Sequence, residues 1–118
     1  MNNLENLIIY KQYLEMLYYI ENITLKYPKV EKYSLVSTIK NTSYTGMELI
    51  IEANKEFDKS KRIKILNKLD SKLKMIKVLV RISYKRKYIN SNNYTAWSKK
   101  LTNISNLLGG WINSCLKR

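Results

Sequence analysis

The sequence predicts an all-α fold, an antiparallel four-helix bundle running up-down-up-down, and three observations carry that prediction. Only three Gly and one Pro interrupt the 118 residues, so there are few places where a helix must stop. Apolar residues recur in steps of three and four through four long stretches, the spacing that gathers side chains on one face of a helix. The stretches are separated by short segments holding a proline, aspartate and serine, or asparagines. A chain of this length builds one hydrophobic core, so residues 1–118 are expected to form a single domain.

The first helix is expected over about residues 4–26. Ile9, Tyr13, Met16, Ile20 and Ile23 form one row, and Leu7, Tyr10, Leu14, Leu17 and Glu21 a second, so apolar residues cover more than half of its circumference. Its tyrosines Tyr10, Tyr13, Tyr18 and Tyr19 read as core and interface filler rather than as a base-stacking platform. Tyr27-Pro28 ends this helix, since the residue before proline is pushed out of αR geometry. The second helix is expected over about 30–56, with Leu35, Ile39, Thr42, Gly46, Leu49 and Ala53 on one face. Its small residues, Thr42, Gly46 and Ala53, admit a close neighbour. Glu48, Glu52 and Glu56 form an acidic row that reads as a solvated face, because the chain has no His to complete a metal or acid/base site.

The third helix, about 60–89 with Ser60 as its N-cap, is the one around which the rest is organised. Residues 59–89 hold twelve Lys and Arg against one acid, Asp70, leaving +11 of the chain's +13 in this segment. Leu66, Leu69, Leu73, Ile76 and Val80 make a core row, while Met75, Val78, Ile82 and Ile89 make another well around the cylinder. A helix on the outside of a monomeric bundle needs only one apolar stripe. Met75, Val78 and Ile82 are therefore the expected contact with another copy of the subunit. Lys61, Lys64, Lys68 and Lys72 flank the core row on one side, and Lys74, Lys77, Arg81 and Lys85 on the other. Lys85, Arg86 and Lys87 also suit the negative end of the helix macrodipole.

The fourth helix, about 92–115 and capped by Asn90 or Ser91, has an uninterrupted row: Tyr94, Trp97, Leu101, Ile104, Leu108, Trp111 and Cys115. Gly109 and Gly110 fall within it at a cost of about 1 kcal/mol each relative to Ala, which predicts a close helix crossing there. Cys115, the single cysteine, reads as a buried structural thiol in a reducing compartment.

The parts for most catalytic schemes are missing. There is no histidine, no cysteine pair for zinc, no glycine-rich phosphate loop and no Gly-x-Ser-x-Gly elbow, so neither an enzyme nor a metal or cofactor site is expected. Without a secretory leader or an apolar run near the roughly 20 residues that span a bilayer, a soluble cytoplasmic protein is expected. Codon bias toward AT-rich triplets raises Lys, but it raises Glu as well, and 22 bases stand against 9 acids. Nucleic acid is the partner this imbalance points to first, ahead of an anionic membrane surface or a merely solvated basic face. The bases on the third helix are the first candidates, with Lys29, Lys32 and Lys40 of the second helix behind them.

Several segments resemble one family. Tyr27-Pro28-Lys29-Val30-Glu31-Lys32-Tyr33, followed by Leu35 and Ile39, resembles the Phe-Pro-Lys-x-Glu-Arg-Tyr turn and helix start of the Avd-like four-helix bundle proteins. Ile51-Glu52-Ala53-Asn54 and Leu107-Leu108-Gly109-Gly110-Trp111-Ile112 are similar to the same family, and the likeness spans about residues 7–113. Tyr27 stands where Phe is usual and Lys32 where Arg is usual; lysine cannot make arginine's forked contacts. The resemblance implies an accessory variability determinant of a diversity-generating retroelement. Such a protein is a basic, non-enzymatic homopentamer that binds the element's reverse transcriptase and RNA during mutagenic copying. Related bundles, encoded by intervening sequences in ribosomal RNA genes, supply the alternative: a structural interaction bundle whose charge meets an acidic protein partner.

Overall fold

The computed structural model describes residues 3–117 as four helices: α1 (Ile8–Thr24), α2 (Leu35–Lys55), α3 (Lys59–Lys85) and α4 (Ser91–Leu116). They form an antiparallel up-down-up-down bundle measuring 48 × 24 × 22 Å. α3 lies between α2 and α4, and α1 closes the square by packing on α2 and α4. Short connections leave successive helices no course but to run back along one another.

The expected core rows turn inward. Ile9, Tyr13, Met16, Ile20 and Ile23 of α1, the five-residue row Leu66 to Val80 of α3, and Trp97, Leu101, Ile104, Leu108 and Cys115 of α4 are all buried. Leu35, Ile39, Leu49 and Ala53 meet them from α2. Each large apolar side chain buried this way contributes about 1.5–3 kcal/mol, so the interior rather than helix propensity holds the four elements together.

The helix ends depart from expectation, each for a local reason. α1 begins at Ile8 instead of residue 4, because Asn3 accepts the Glu5 N–H (3.1 Å) and caps a separate 3-10 turn, Leu4–Asn6, after which Leu7 is extended. α2 begins at Leu35 instead of residue 30. Lys29–Glu31 forms its own 3-10 turn, and the Glu31 carboxylate is held by the hydroxyls of Ser34 (2.6 Å) and Tyr88 (2.7 Å) and by Arg86 Nη1 (3.1 Å). This part-buried cluster ties the α1–α2 connection to the end of α3. The Ser34 and Tyr88 hydroxyls and the Arg86 charge hold the Glu31 carboxyl below its ordinary range, and the bond to Glu31 pushes the Tyr88 phenol up.

Asp58, not Ser60, caps α3. Its carboxylate accepts the Ser60 and Lys61 N–H groups at 2.9 and 3.2 Å, a site where the helix dipole also favours a negative charge. The bond from Lys61 leads in holding the Asp58 carboxyl below its usual range. α3 stops at Lys85 instead of residue 89, so Lys85 alone of the three expected bases lies in its last turn. Lys87 has φ 64°, and the N–H groups of Lys87 and Tyr88 close back on the Tyr84 and Ser83 carbonyls at 3.0 and 2.9 Å. That is the helix stop usually built around glycine, here carrying lysine. Asn90 caps α4 by accepting the Asn93 N–H at 2.8 Å.

The close crossing lies at Gly46. An ideal Cβ there would sit 1.9 Å from the Tyr13 hydroxyl, which donates to the Ser43 carbonyl at 2.7 Å. Gly109 and Gly110, where the sequence predicts a crossing, are exposed, and nothing among the described residues comes within 4 Å of a Cβ added to either. α4 continues through both, because Trp111, Ile112 and Cys115 carry its apolar pattern past them.

Candidate nucleic-acid interface

The basic charge of α3 is set on opposite flanks by the burial of its core row. Lys61, Lys64 and Lys68 stand exposed and Lys72 half-buried on one flank; Lys74, Lys77, Arg81 and Lys85 are exposed on the other. The second set does not act as one patch. Lys74 and Lys77 border a depression between α3 and α4 with Tyr94, Ser98 and Thr102, whereas Arg81 and Lys85 reach the end where α1 stops and α4 starts. Lys74 also pairs with Asp70, the lone acid of α3, at 2.5 Å one helical turn away. Exposed pairs of this kind contribute little to stability, but the pairing leaves Lys74 the least net charge of the four.

Two other bases of this segment hold structure. The Arg62 guanidinium donates to the carbonyls of Ala53 (3.1 Å) and Glu56, closing the end of α2, and Arg86 is engaged by Glu31. Arg62 is thereby committed to the α2–α3 connection, while Arg86 gives Nη1 to Glu31 and keeps about half of its side chain exposed. Lys29 and Lys32 are exposed, but on the α1–α2 connection rather than on the second helix; Lys40, half-buried, is on α2. Lys32 Nζ lies 5.4 Å from the centre of the Tyr33 ring. Glu48 and Glu52 point to solvent, in keeping with a solvated acidic row, while Glu56 is half-buried and accepts the Asp58 N–H at 3.1 Å.

Among the described residues, the second apolar row of α3 is left largely uncovered at Met75 and Val78. Met75 is 42% and Val78 50% exposed, Ile82 is half-buried, and Arg81, Lys85 and Arg86 rim the hollow beside Val78 and Ile82. Ile89 belongs elsewhere: it lies beyond the end of α3 and is buried in the chain's own core.

A concavity of about 1180 Å³ at one end of the bundle is one that sequence reasoning misses. It opens where the C-terminal ends of α1 and α3 meet the start of α4, and it joins Lys26, Lys87 and Tyr84 to Arg81 and Lys85. Its one sequence signal is the recurrence of Tyr, Lys and Asn at three helix ends, which only the bundle topology brings together.

Among the described residues no helix is long and apolar enough to cross a membrane. No curated protein matches the chain. The model of the bAvd-like family matches residues 7–115, which takes in α1, α2, α3 and all but the last residue of α4, with the Glu31 cluster and the Gly109-Gly110 segment. The basic four-helix bundle described here is thus a member of the bAvd-like family.

Proposed function

We infer that this protein is a non-enzymatic accessory factor of a diversity-generating retroelement, one that binds RNA and the element's reverse transcriptase while template is copied mutagenically into the variable repeat. The observation that carries this reading is α3 itself, whose outward side combines the exposed apolar residues Met75 and Val78 with Arg81 and Lys85, bases that have no acidic partner among the described residues. Copies joined through that row form a ring, a homopentamer by the family resemblance, and each subunit adds its own bases to a shared cationic surface. Such a surface attracts phosphate through counterion release and is read by backbone charge more than by base edges. Family membership supports the accessory role.

The test is RNA binding across a salt series by the wild type and by the Lys74→Gln/Lys77→Gln/Arg81→Gln/Lys85→Gln variant. The four changes are expected to weaken binding steeply, to lower the salt slope by about 0.7 for each single-strand phosphate no longer neutralised, and to leave helical content intact. The corresponding Gln variant at Lys61, Lys64, Lys68 and Lys72 serves as the control and is expected to lose less. An affinity that survives the first set unchanged overturns the assignment. Wild-type protein that ignores RNA but captures an acidic protein partner would replace it with the structural-bundle alternative.

A further inference from the structure

The groove at the end of the bundle differs in kind from the lysine-covered flanks of α3. Its lining brings together four bases, Lys26, Arg81, Lys85 and Lys87, with aromatic rings and asparagine amides, and no acid is among the described residues that line it. Tyr84 is 42% exposed and is braced by Tyr94, which stacks on it with ring centroids 4.5 Å apart and planes 23° from parallel. Tyr19 is fixed in the wall by donating to the Asn93 carbonyl at 3.2 Å. Positive charge beside a pre-set aromatic face is what an unpaired nucleotide requires: the charge meets phosphate and the ring stacks on the base.

The backbone supplies a second, independent observation. Lys87 occupies the left-handed position of the α3 stop at φ 64°, where glycine is free of strain and a lysine is not. The fold thus carries a less stable helix stop that puts a lysine in the lining of the groove. Strain held at one position in this way points from structure toward function.

We propose that this groove is a binding site for an unpaired segment of single-stranded RNA, with a base stacked on Tyr84 and the adjoining phosphates held by Arg81, Lys85 and Lys87. The site rests on the reading of the protein as a nucleic-acid binder and adds to it a preference for single strands over duplex. At about 1180 Å³ and open to solvent, the groove exceeds the ~300–1,000 Å³ typical of sites that enclose one small ligand, so a stretch of chain suits it better than a free nucleotide. Bases within a duplex are already stacked on one another and have no face to offer Tyr84.

The experiment compares a short fluorescent oligoadenylate RNA with a fully paired RNA hairpin, each titrated with wild type, Tyr84→Leu and Lys87→Gly. Wild type is expected to favour the single strand. Tyr84→Leu, which keeps apolar bulk but removes the aromatic face, should lower single-strand affinity about tenfold while leaving hairpin affinity in place. Lys87→Gly should melt at a higher temperature than wild type and yet bind the single strand more weakly, a combination that a merely structural role for Lys87 does not produce. An unchanged ratio of single-strand to hairpin affinity in Tyr84→Leu, or full single-strand affinity in Lys87→Gly, overturns the groove site and leaves the cationic surface of α3 standing. A wild type that binds neither RNA overturns the broader reading as well.

Discussion

Two glycine positions in this bundle look alike in sequence and behave oppositely in space. Gly46 is buried in α2 and faces the Tyr13 ring of α1 so closely that no side chain fits between them. Gly109 and Gly110 interrupt the most regular apolar row of the chain, yet their surroundings are open among the described residues. Glycine costs helix stability at all three positions. Only at Gly46 does a contact within the subunit compensate, by letting Tyr13 lie across α2 and donate to the Ser43 carbonyl. At Gly46 the deviation from helix preference is explained by what it touches, whereas at Gly109 and Gly110 no contact among the described residues explains it.

The sharpest way to break this contrast is Gly46→Ala. The new Cβ would fall 1.9 Å from the Tyr13 hydroxyl and 2.7 Å from the ring carbon that bears it, so the ring must leave its seat. Overpacking together with loss of a buried hydrogen bond is expected to cost about 3 kcal/mol, read as a lower urea midpoint at unchanged slope. A loss below about 1 kcal/mol would mean that Tyr13 finds another rotamer freely and that Gly46 is not the crossing point.

Much of the fold was legible because burial follows spacing within one helix. The rows Leu66 to Val80 and Trp97 to Cys115 needed only their own periodicity to be placed inside. Helix ends were less legible, since they depend on residues far apart in the chain: Glu31 is bonded by Arg86 and Tyr88, 55 and 57 positions away. The bases of α3 were visible as charge, but not their division of labour. The Asp70–Lys74 pair was there to be read as an i,i+4 match, whereas the engagement of Arg62 and Arg86 and the groove at the bundle end required the tertiary arrangement.

The second test acts on the open glycines. Gly109→Ala/Gly110→Ala is expected to raise stability by about 1 kcal/mol per site, because no described neighbour must move to admit either methyl group. Thermal melting gives that answer, and light scattering on the same sample sharpens it. A variant of wild-type particle size would leave the glycine face free of partners. One that falls apart into smaller particles would show that a neighbouring copy sits against the glycines as Tyr13 sits against Gly46. A fall in stability with no change in particle size would contradict the open surroundings of both positions.

The smallest expected effect carries the same contrast to a pair of tyrosines. Tyr13 and Tyr27 are both buried, but the Tyr13 hydroxyl has the Ser43 carbonyl at 2.7 Å, while the Tyr27 hydroxyl has no hydrogen-bond partner among the described residues. Ser83 lies beside Tyr27 and partly offsets the upward push of burial on the phenol, yet the Ser83 hydroxyl is directed to the Leu79 carbonyl at 2.9 Å. A buried polar group left unpaired costs roughly 1–3 kcal/mol, whereas a paired one contributes on the order of 1 kcal/mol. The two Tyr→Phe substitutions should therefore differ in sign. Tyr27→Phe, which installs the residue usual in the resembling family, is expected to stabilise the bundle by about 1 kcal/mol and to keep the ring packed on Tyr88, whose centroid is 5.3 Å away. Tyr13→Phe should destabilise it by about the same amount. If urea denaturation shows both variants shifting in the same direction, the partner of the hydroxyl is not what decides the value of a buried tyrosine here.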